Sequence, residues 1–320
     1  MKRTKLKFLP PYILFFGIAL VCVQCQQSKD SNSVSAFSNV AKKIYKKLNL
    51  QRDSLHLGHT HFNWPDGKKM AISLTFDDSR LSQIDKGIPL LDKYNVKGTF
   101  YISPHLLTQR VEEWKKAARN GHEIGNHTFT HPCSGNFSFS RDNALENHTF
   151  QSMKEDIDSA NMLIEKTLGY SPVSFAYPCG ETFVGRGENT ESYVPLIAAQ
   201  FKTGRKWRNE TANDPLFCDL AQIKGIQLDG KSFEEVLRLI EATKRNGQWL
   251  VLVGHEMDNK KGELTSLLST IEAICQYASK QNNGVWIDNV QNIASFIKEQ
   301  RDEKVFSEFH DDTDSLFSVY

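Results

Sequence analysis

The sequence lacks several features that would direct it to common functional classes. It has no His-Glu-x-x-His run, which disfavours a zinc peptidase, and no Cys-x-x-Cys pair, which argues against a zinc–thiolate site. No segment repeats with a fixed period, so a repeat architecture is not indicated. The formal net charge is only +1, and the composition therefore gives no reason to expect a nucleic-acid partner.

The chain is long enough to bury a sizeable core. It has 320 residues, of which 39% are hydrophobic, which suits one large domain or at most two smaller ones. Aromatic residues make up 11%, and they include Trp64, Trp207 and Trp286. Such rings serve as core residues or as stacking platforms for sugars, and composition leaves both roles open.

The N-terminal segment has the pattern of a secretory signal. A basic start is followed by an apolar run at residues 8–23, which is short for a membrane span. Cys25 lies two residues after this run and directly before polar residues, and the segment so resembles a bacterial lipoprotein processing site. We predict a signal peptide over residues 1–25 and lipid attachment at Cys25, with Cys22 as the alternative. An uncleaved anchor helix or ordinary signal cleavage also fits.

Strands and helices alternate along most of the remaining chain. Residues 26–63 are polar and are predicted to be a tether, with a short helix near residues 40–48. From residue 64 onwards, periods of two and of 3.6 residues alternate, as in the predicted strand Met70–Asp77. Predicted elements farther along include the strand Phe201–Thr203 and the helix Leu264–Lys280. Six or seven such units predict an α/β fold whose parallel sheet is closed, or nearly closed, into a barrel.

Three segments with polar residues lie where predicted strands end, at the edge where parallel-sheet enzymes assemble their sites. The first is Thr75-Phe76-Asp77-Asp78. Neighbouring side chains of an extended chain point to opposite sides, so Asp77 and Asp78 can take different tasks. One can bind a metal ion while the other accepts a proton, although such pairs also cap helices or begin turns.

Histidines mark the other two segments. His127 and His131 are four residues apart, and on one helical turn their Cβ atoms would lie about 5–6 Å apart, close enough to share a metal ion. Imidazole suits zinc, cobalt, nickel and iron, and two histidines with one carboxylate leave positions for water and substrate. His255 follows the buried run Trp249–Val253. Structural roles for these histidines remain open at this point.

Together, in order, the three segments resemble the polysaccharide deacetylase family, carbohydrate esterase family four. Thr75–Asp78 matches the first motif of the family, and His127–His131 matches the second, His-(Ser/Thr)-x-x-His. Leu252-Val253-Gly254-His255 matches the fifth. The third motif is matched in part by residues 175–180, because many members carry an arginine at the position of Ala176. The fourth motif is not clear.

The resemblance implies an irregular (β/α)7-type barrel with parallel strands, forming a single catalytic domain over residues 64–300. It also implies a divalent metal ion bound by Asp78, His127 and His131, with zinc favoured over cobalt, nickel or iron. Asp77 would then be the general base and His255 the proton donor to the leaving group. Residues 301–320 are predicted to be a polar C-terminal tail.

Further residues are assigned to the substrate side of the site. Tyr177 and Cys179 belong to the third motif, and the resemblance implies an oxyanion-stabilising backbone N–H near Cys179. Arg205 is hypothesised to supply the cation missing at Ala176, and Trp207 to line the substrate groove. The alternative for this segment is a solvated basic loop. Four cysteines lie beyond the signal, as free thiols or as one or two disulfides: Cys133, Cys179, Cys218 and Cys275.

The predicted function is therefore metal-dependent removal of acetyl groups from a carbohydrate, with release of acetate. The sequence leaves open which bond is hydrolysed, an N-acetyl amide or an O-acetyl ester as on xylan. The alternative function is a non-catalytic, glycan-binding surface lipoprotein of the same fold. The expected partners are an acetylated carbohydrate and, through the lipid anchor, a membrane. The expected location is secreted and membrane-anchored, at the bacterial outer membrane, the cell surface or the periplasmic side.

Overall fold

The computed structural model describes residues 62–301. The predicted signal peptide, the lipidated Cys25, the helix near residues 40–48 and nearly all of the predicted tether and tail lie outside this range. Within the described range, no helix combines the length and the apolar character that crossing a bilayer requires.

A parallel sheet forms the centre of the described domain. The strands are, in chain order, β1 (Met70–Asp77), β2 (Thr99–Ile102), β3 (Glu123–Asn126), β4 (Ser174–Ala176), β5 (Phe183–Val184), β6 (Glu191–Ser192), β7 (Thr203–Arg205), β8 (Ile226–Gln227), β9 (Trp249–Gly254), β10 (Glu256–Asp258), β11 (Thr265–Leu267) and β12 (Val285–Ile287). The main sheet runs β7-β4-β3-β2-β1-β9-β8, and β12 pairs with the start of β1. The strands β5 and β6 form a small antiparallel pair, and β10 and β11 a small parallel pair.

The sheet curls until its two edges meet. Arg205 in β7 forms a parallel bridge with Ile223, which precedes β8. The Ile223 N–H donates to the Gly204 carbonyl at 2.7 Å, and the Lys206 N–H donates to the Ile223 carbonyl at 2.7 Å. A Cβ atom at Gly204 would lie 2.5 Å from the Ala221 carbonyl oxygen, so glycine permits this approach. The predicted irregular barrel of parallel strands is confirmed.

Eight α-helices lie in the described part of the chain. They are α1 (Ile88–Lys93), α2 (Pro104–Leu107), α3 (Val111–Arg119), α4 (Phe150–Leu168), α5 (Val194–Gln200), α6 (Phe233–Arg245), α7 (Leu268–Ser279) and α8 at residues 290–301. Helix α4 shows why these segments are helical. Thr149 and Ser152 form a reciprocal capping box at its start, and Gly169 ends it with φ of 87°.

The core lies on both faces of β1, every residue of which is buried. Met70, Ile72, Leu74 and Phe76 pack in the largest apolar cluster, which includes residues of α1, α3, α6 and α7. Ala71 faces a second cluster, which includes residues of α8. Each large apolar side chain buried in this way contributes about 1.5–3 kcal/mol. This burial fixes the end of β1 and therefore the positions of Asp77, its last residue, and of Asp78, which follows it.

Two predicted elements differ from the structure. The predicted strand Phe201–Thr203 is wrong, because β7 covers Thr203–Arg205 and Phe201 ends α5. A charged residue in a buried strand gives no apolar signal, and Arg205 is buried because it pairs with a carboxylate. The predicted helix Leu264–Lys280 begins only at Leu268, because residues 265–267 pair with β10.

Candidate active site

The predicted site residues converge on one cavity at the carboxyl ends of the parallel strands. The cavity has a volume of about 530 Å³. The predicted residues that line it are Asp77, Asp78, His127, His131, Cys179, Trp207 and His255. Arg205 and Tyr177 are buried behind its wall. This is the edge at which parallel α/β folds place their ligands.

A left-handed turn begins at the second of the two aspartates. Asp77 is the last residue of β1, and Asp78 and Ser79 follow with φ of 71° and 55°. The Ser79 hydroxyl donates to the Ser103 carbonyl at 3.0 Å and holds the turn in place. Non-glycine residues adopt this backbone at a cost, and such turns concentrate at functional sites. Gln83 then donates to the carbonyl oxygens of both Asp77 and His255, at 2.6 and 2.9 Å.

The two histidines lie on an irregular loop, so the helical turn considered for them from their spacing is not present. Thr128 and His131 have φ of 63° and 53°. The Asn126 side-chain oxygen accepts from the Thr128 N–H at 2.6 Å, and the Thr128 hydroxyl accepts from the His131 N–H at 3.0 Å. These local bonds replace helical ones. The imidazole rings nevertheless meet, with centroids 4.8 Å apart.

Residues of helix α4 form hydrogen bonds with this loop. The Asp156 carboxylate accepts from the backbone N–H groups of Phe129 and Thr130, at 3.2 and 3.1 Å. Asn126 donates to the Ile157 carbonyl at 3.0 Å and to the Asn161 side chain at 2.7 Å. The loop is therefore held by side chains from a long, capped helix, and the histidines have a rigid base.

Asp78, His127 and His131 form the only cluster of three metal-ligating side chains among residues 62–301. Their ligand atoms all lie within 4.8 Å of one another. Asp78 Oδ1 is 3.6 Å from His127 Nε2 and 3.5 Å from His131 Nε2. His127 Nδ1 is 2.8 Å from the Ala176 carbonyl oxygen, which directs the lone pair of Nε2 toward the cluster. This donor set fits a divalent metal ion.

The charges in the cluster also suit metal binding. Burial by itself would raise the pKa of Asp78, but electrostatic interactions with the neighbouring basic groups, His127 first among them, hold it well below its usual range. Burial, assisted by the neighbouring His127, lowers the pKa of His131 to about 4. Near neutral pH, Asp78 is thus ionised and His131 is neutral, which are the forms that coordinate metals. Arg80 contacts the outer oxygen of Asp78 at 2.9 Å.

Asp77 pairs with Arg205 behind the metal-ligating cluster. The guanidinium contacts Asp77 Oδ1, while Asp77 Oδ2 is 3.9 Å from His127 Nε2. Arg205 is fully buried and lies over the Tyr101 ring, 4.9 Å from its centroid. The structure therefore places Arg205 beside the aspartate, as hypothesised, and not in a solvated loop.

His255 is oriented by an aspartate that sequence reasoning missed. Asp229 Oδ2 is 2.6 Å from His255 Nδ1, and Asp229 Oδ1 accepts a hydrogen bond from the backbone N–H of His255 at 3.1 Å. The Ser266 hydroxyl donates to the same oxygen at 2.7 Å. Burial would lower the pKa of His255, but the Asp229 bond and the nearby carboxylates raise it above its usual value. Asp229 lies two residues after β8 and directly before Gly230, and a polar residue at the end of a strand is the signal that could have identified it.

The third motif forms a tight turn at the cavity wall. Cys179 and Gly180 have φ of 55° and 76°, and a Cβ at Gly180 would lie 2.8 Å from backbone atoms of Trp207. A disulfide joins Cys179 to Cys133. Tyr177 does not face the cavity, because its hydroxyl donates to the Ala221 carbonyl at 2.7 Å and its N–H to the Arg205 carbonyl at 3.0 Å.

Trp207 lines the cavity beside His255. Its ring centroid is 4.8 Å from that of His255, and the Arg208 guanidinium lies 4.4 Å from the Trp207 ring. The buried indole N–H has no hydrogen-bond partner within residues 62–301. The other two cysteines within residues 62–301 are free thiols, with Cys218 half-buried and Cys275 buried.

Comparisons with known proteins agree with the motifs. Residues 65–192 match the family model described as polysaccharide deacetylase. Over 97 residues the chain is 35% identical to the uncharacterised protein YlxY of Bacillus subtilis, which covers 30% of this chain and 27% of that protein. Over 118 residues it is 30% identical to the peptidoglycan-N-acetylmuramic acid deacetylase PdaA of the same organism, covering 37% of this chain and 38% of that protein.

These alignments span well under half of each relative, so they support the domain and not the activity of a whole protein. A solved structure supports the fold. It is that of a Mycobacterium smegmatis protein assigned as a polysaccharide deacetylase, with a TM-score of 0.54 and 18% identity. The similarity covers 75% of this chain and 94% of that one.

Proposed function

We propose, from the premise that this chain carries a polysaccharide deacetylase domain, that it hydrolyses acetyl groups from a carbohydrate and releases acetate. One observation carries the proposal. The three metal-ligating side chains of Asp78, His127 and His131 share a cavity with a paired carboxylate and an oriented histidine. This is the combination that metal-assisted hydrolysis needs.

The ligand set supports a divalent metal ion, and we propose zinc, with cobalt, nickel or iron as alternatives. When bound, the ion supplies Lewis-acid activation of a water molecule and of the acetyl carbonyl. The protein contributes the arrangement around it. Asn126 and Asp156 hold the histidine loop, and the Ala176 carbonyl fixes the tautomer of His127.

Asp77 is proposed as the general base. Its free oxygen is directed toward the cluster, while its other oxygen is held by Arg205. The guanidinium holds the carboxylate in one orientation, from which it can accept the proton of the attacking water. The nearly complete burial of both groups strengthens their interaction.

His255 is proposed as the proton donor to the leaving nitrogen or oxygen. Its raised pKa favours the protonated form, and Asp229 holds Nδ1, which leaves Nε2 to deliver the proton. The Cys179 N–H is proposed to donate to the developing oxyanion, because the positive φ of this residue turns the backbone at the cavity wall. Trp207 is proposed to line the substrate groove.

We further propose an N-acetylated amino sugar as the substrate class. Relatives include peptidoglycan deacetylases from Bacillus subtilis and Listeria monocytogenes, which supports an N-acetyl group over an O-acetyl group. The ordered base and proton donor disfavour the alternative of a non-catalytic glycan-binding lipoprotein, since binding alone requires neither.

We also propose that the chain is exported and attached to a membrane by a lipid. We propose a signal peptide over residues 1–25, a tether over 26–63, the catalytic domain over 64–300 and a tail over 301–320. Lipid attachment at Cys25 would place the domain on a membrane surface. Mass spectrometry of the mature N-terminus tests this, and an unacylated N-terminus away from Cys25 would exclude it.

Acetate release from a small substrate panel tests the function. The metal-loaded protein is incubated with chitooligosaccharides, peptidoglycan fragments and acetylated xylan, and the Asp77→Asn variant serves as the matched control. We expect acetate from an N-acetylated substrate with the wild type only. Stable binding of these glycans without any release of acetate would favour the non-catalytic alternative.

A further inference from the structure

The segment before α4 forms a rigid loop beside the cavity. The disulfide ties Cys133 to Cys179, on the cavity wall. The Ser140 hydroxyl accepts from the Cys133 N–H at 2.9 Å and donates to the Cys133 carbonyl at 3.0 Å. The Leu145 N–H donates to the same carbonyl at 2.9 Å. Both ends of the loop are thus tied together, and its tip is held in place.

Two phenylalanines occupy the tip of this loop. The rings of Phe137 and Phe139 stack, with centroids 5.5 Å apart and planes inclined by 30°. Phe137 is half-buried, whereas Phe139 is 70% exposed. Neither ring belongs to an apolar core cluster of the described domain. Solitary exposed apolar residues are ordinary, but a stacked pair on a rigid loop indicates a contact surface.

The pair lines the same cavity as the proposed catalytic residues. Phe137 and Phe139 share its wall with His131 and Trp207. The volume of about 530 Å³ falls within the range of about 300–1,000 Å³ typical of pockets that enclose a drug-sized ligand. That is more space than an acetyl group and its immediate attachment require, so part of the cavity is available to the rest of the substrate.

The chemistry of a sugar ring fits this surface. The faces of a pyranose ring present C–H groups, which are apolar, whereas its hydroxyls project around the rim. An aromatic ring can cover such a face while the hydroxyls remain hydrated, and its conformational cost is small because it has only two rotatable bonds. A stacked aromatic pair beside a polar, metal-ligating floor therefore suits a carbohydrate that extends beyond the reacting sugar.

We propose that Phe137 and Phe139 form a subsite that binds a second sugar ring of the glycan, while the acetylated ring lies over the metal-ligating cluster. This inference rests on the proposed function and names its substrate class more closely. The preferred substrate is an oligosaccharide of at least two rings. A single acetylated sugar leaves the subsite empty.

Matched variants and two kinds of substrate test the subsite. Phe139→Ala is compared with the wild type on N-acetylated chitooligosaccharides and on ethyl acetate, a small ester that carries neither a sugar ring nor an aromatic ring to occupy the subsite. We expect kcat/KM to fall about tenfold on the oligosaccharides, mainly through KM, which is the order expected for loss of aromatic stacking. The rate on the small ester should stay unchanged.

Two controls separate stacking from general effects. Phe139→Trp retains an aromatic face and should keep most of the activity on oligosaccharides. Phe217→Ala removes a phenylalanine that is 81% exposed and lies outside this cavity, and it should match the wild type on both substrates. An equal loss on both substrates for Phe139→Ala, or no loss on either, would overturn the subsite.

A binding measurement keeps the subsite distinct from the catalytic proposal. Calorimetry compares chitooligosaccharide binding to Asp77→Asn with binding to Asp77→Asn/Phe139→Ala. If the wild type releases no acetate but affinity depends on Phe139, the subsite stands and the proposed hydrolysis fails. If affinity does not depend on Phe139, the subsite fails whether or not acetate is released.

Discussion

Arg205 and Ala176 are register partners on the neighbouring strands β7 and β4, and the arginine reaches across to pair with Asp77. Many members of the resembled family carry an arginine at the position of Ala176. Partners on adjacent strands project their side chains to the same face of the sheet. In this chain, the cation beside the Asp77 carboxylate therefore comes from β7, the strand next to the one that carries Ala176.

Arg205→Met should reduce turnover by about 100-fold, the order of a lost general base. The change leaves Asp77 buried without a counter-charge and without the contact that holds its orientation. Turnover of the metal-loaded variant, measured beside the wild type under the same conditions, checks the loss. Unchanged turnover would contradict the assigned role.

The register relationship predicts a rescue. Adding Ala176→Arg to Arg205→Met returns a guanidinium to the same face of the sheet, and we expect part of the lost turnover to return. Ala176→Arg alone should lower activity, because the buried site would then hold two cations beside one aspartate. Thermal unfolding of each variant checks that the domain still folds. A double variant no more active than Arg205→Met would argue against interchange of the two positions.

Asp229→Asn should narrow the pH range of activity from the alkaline side. The Asp229 bond helps to raise the pKa of His255, and its removal should lower that pKa. His255 acts in its protonated form, so activity is lost as pH rises through its pKa, and a lower pKa moves this loss to lower pH. The kcat profile of the metal-loaded variant measures the shift. An alkaline limb at its wild-type position would exclude His255 as the titrating donor.

The disulfide should contribute to both stability and turnover. Cys133 lies two residues after His131, and Cys179 is the proposed oxyanion donor, so the cross-link joins two parts of the site. The half-cystines are 46 residues apart in sequence, for which the chain-entropy relation gives about 4 kcal/mol of stabilisation. Cys133→Ser/Cys179→Ser should lower both Tm and kcat while metal content is retained.

Cys218→Ser is the matched control for the disulfide, because Cys218 is a free thiol outside the cavity. Its Tm should fall on addition of reductant as the wild-type Tm does, whereas the double variant should not respond. Equal Tm values for the double variant and the oxidised wild type would show that the cross-link does not stabilise the fold.

The barrel could be predicted from sequence because its strongest signals are local. The period-two pattern in Met70–Asp77 and the capped, periodic α4 are each decided by neighbours in the chain. Polar residues at strand ends then indicate one edge of the sheet. This is why Asp77, Asp78 and the three histidines could be identified together.

Other parts of the site depend on contacts between distant segments. Asp229 follows a two-residue strand, and its role appears only when β9 brings His255 beside it. The pairing of Cys133 with Cys179 depends on where two loops meet, which four cysteines without geometry cannot specify. The four-residue spacing of His127 and His131 is compatible with a helical turn. Hydrogen bonds to the side chains of Asn126 and Thr128 give this loop a different backbone conformation.

Metal content and acetate release, measured on the same preparations of wild type, Asp77→Asn and His127→Ala, test the central claim most directly. We predict that wild type and Asp77→Asn bind a stoichiometric divalent ion, that Asp77→Asn loses on the order of 100-fold or more in turnover, and that His127→Ala loses the ion. Full turnover by Asp77→Asn, or undiminished metal in His127→Ala, would contradict the account.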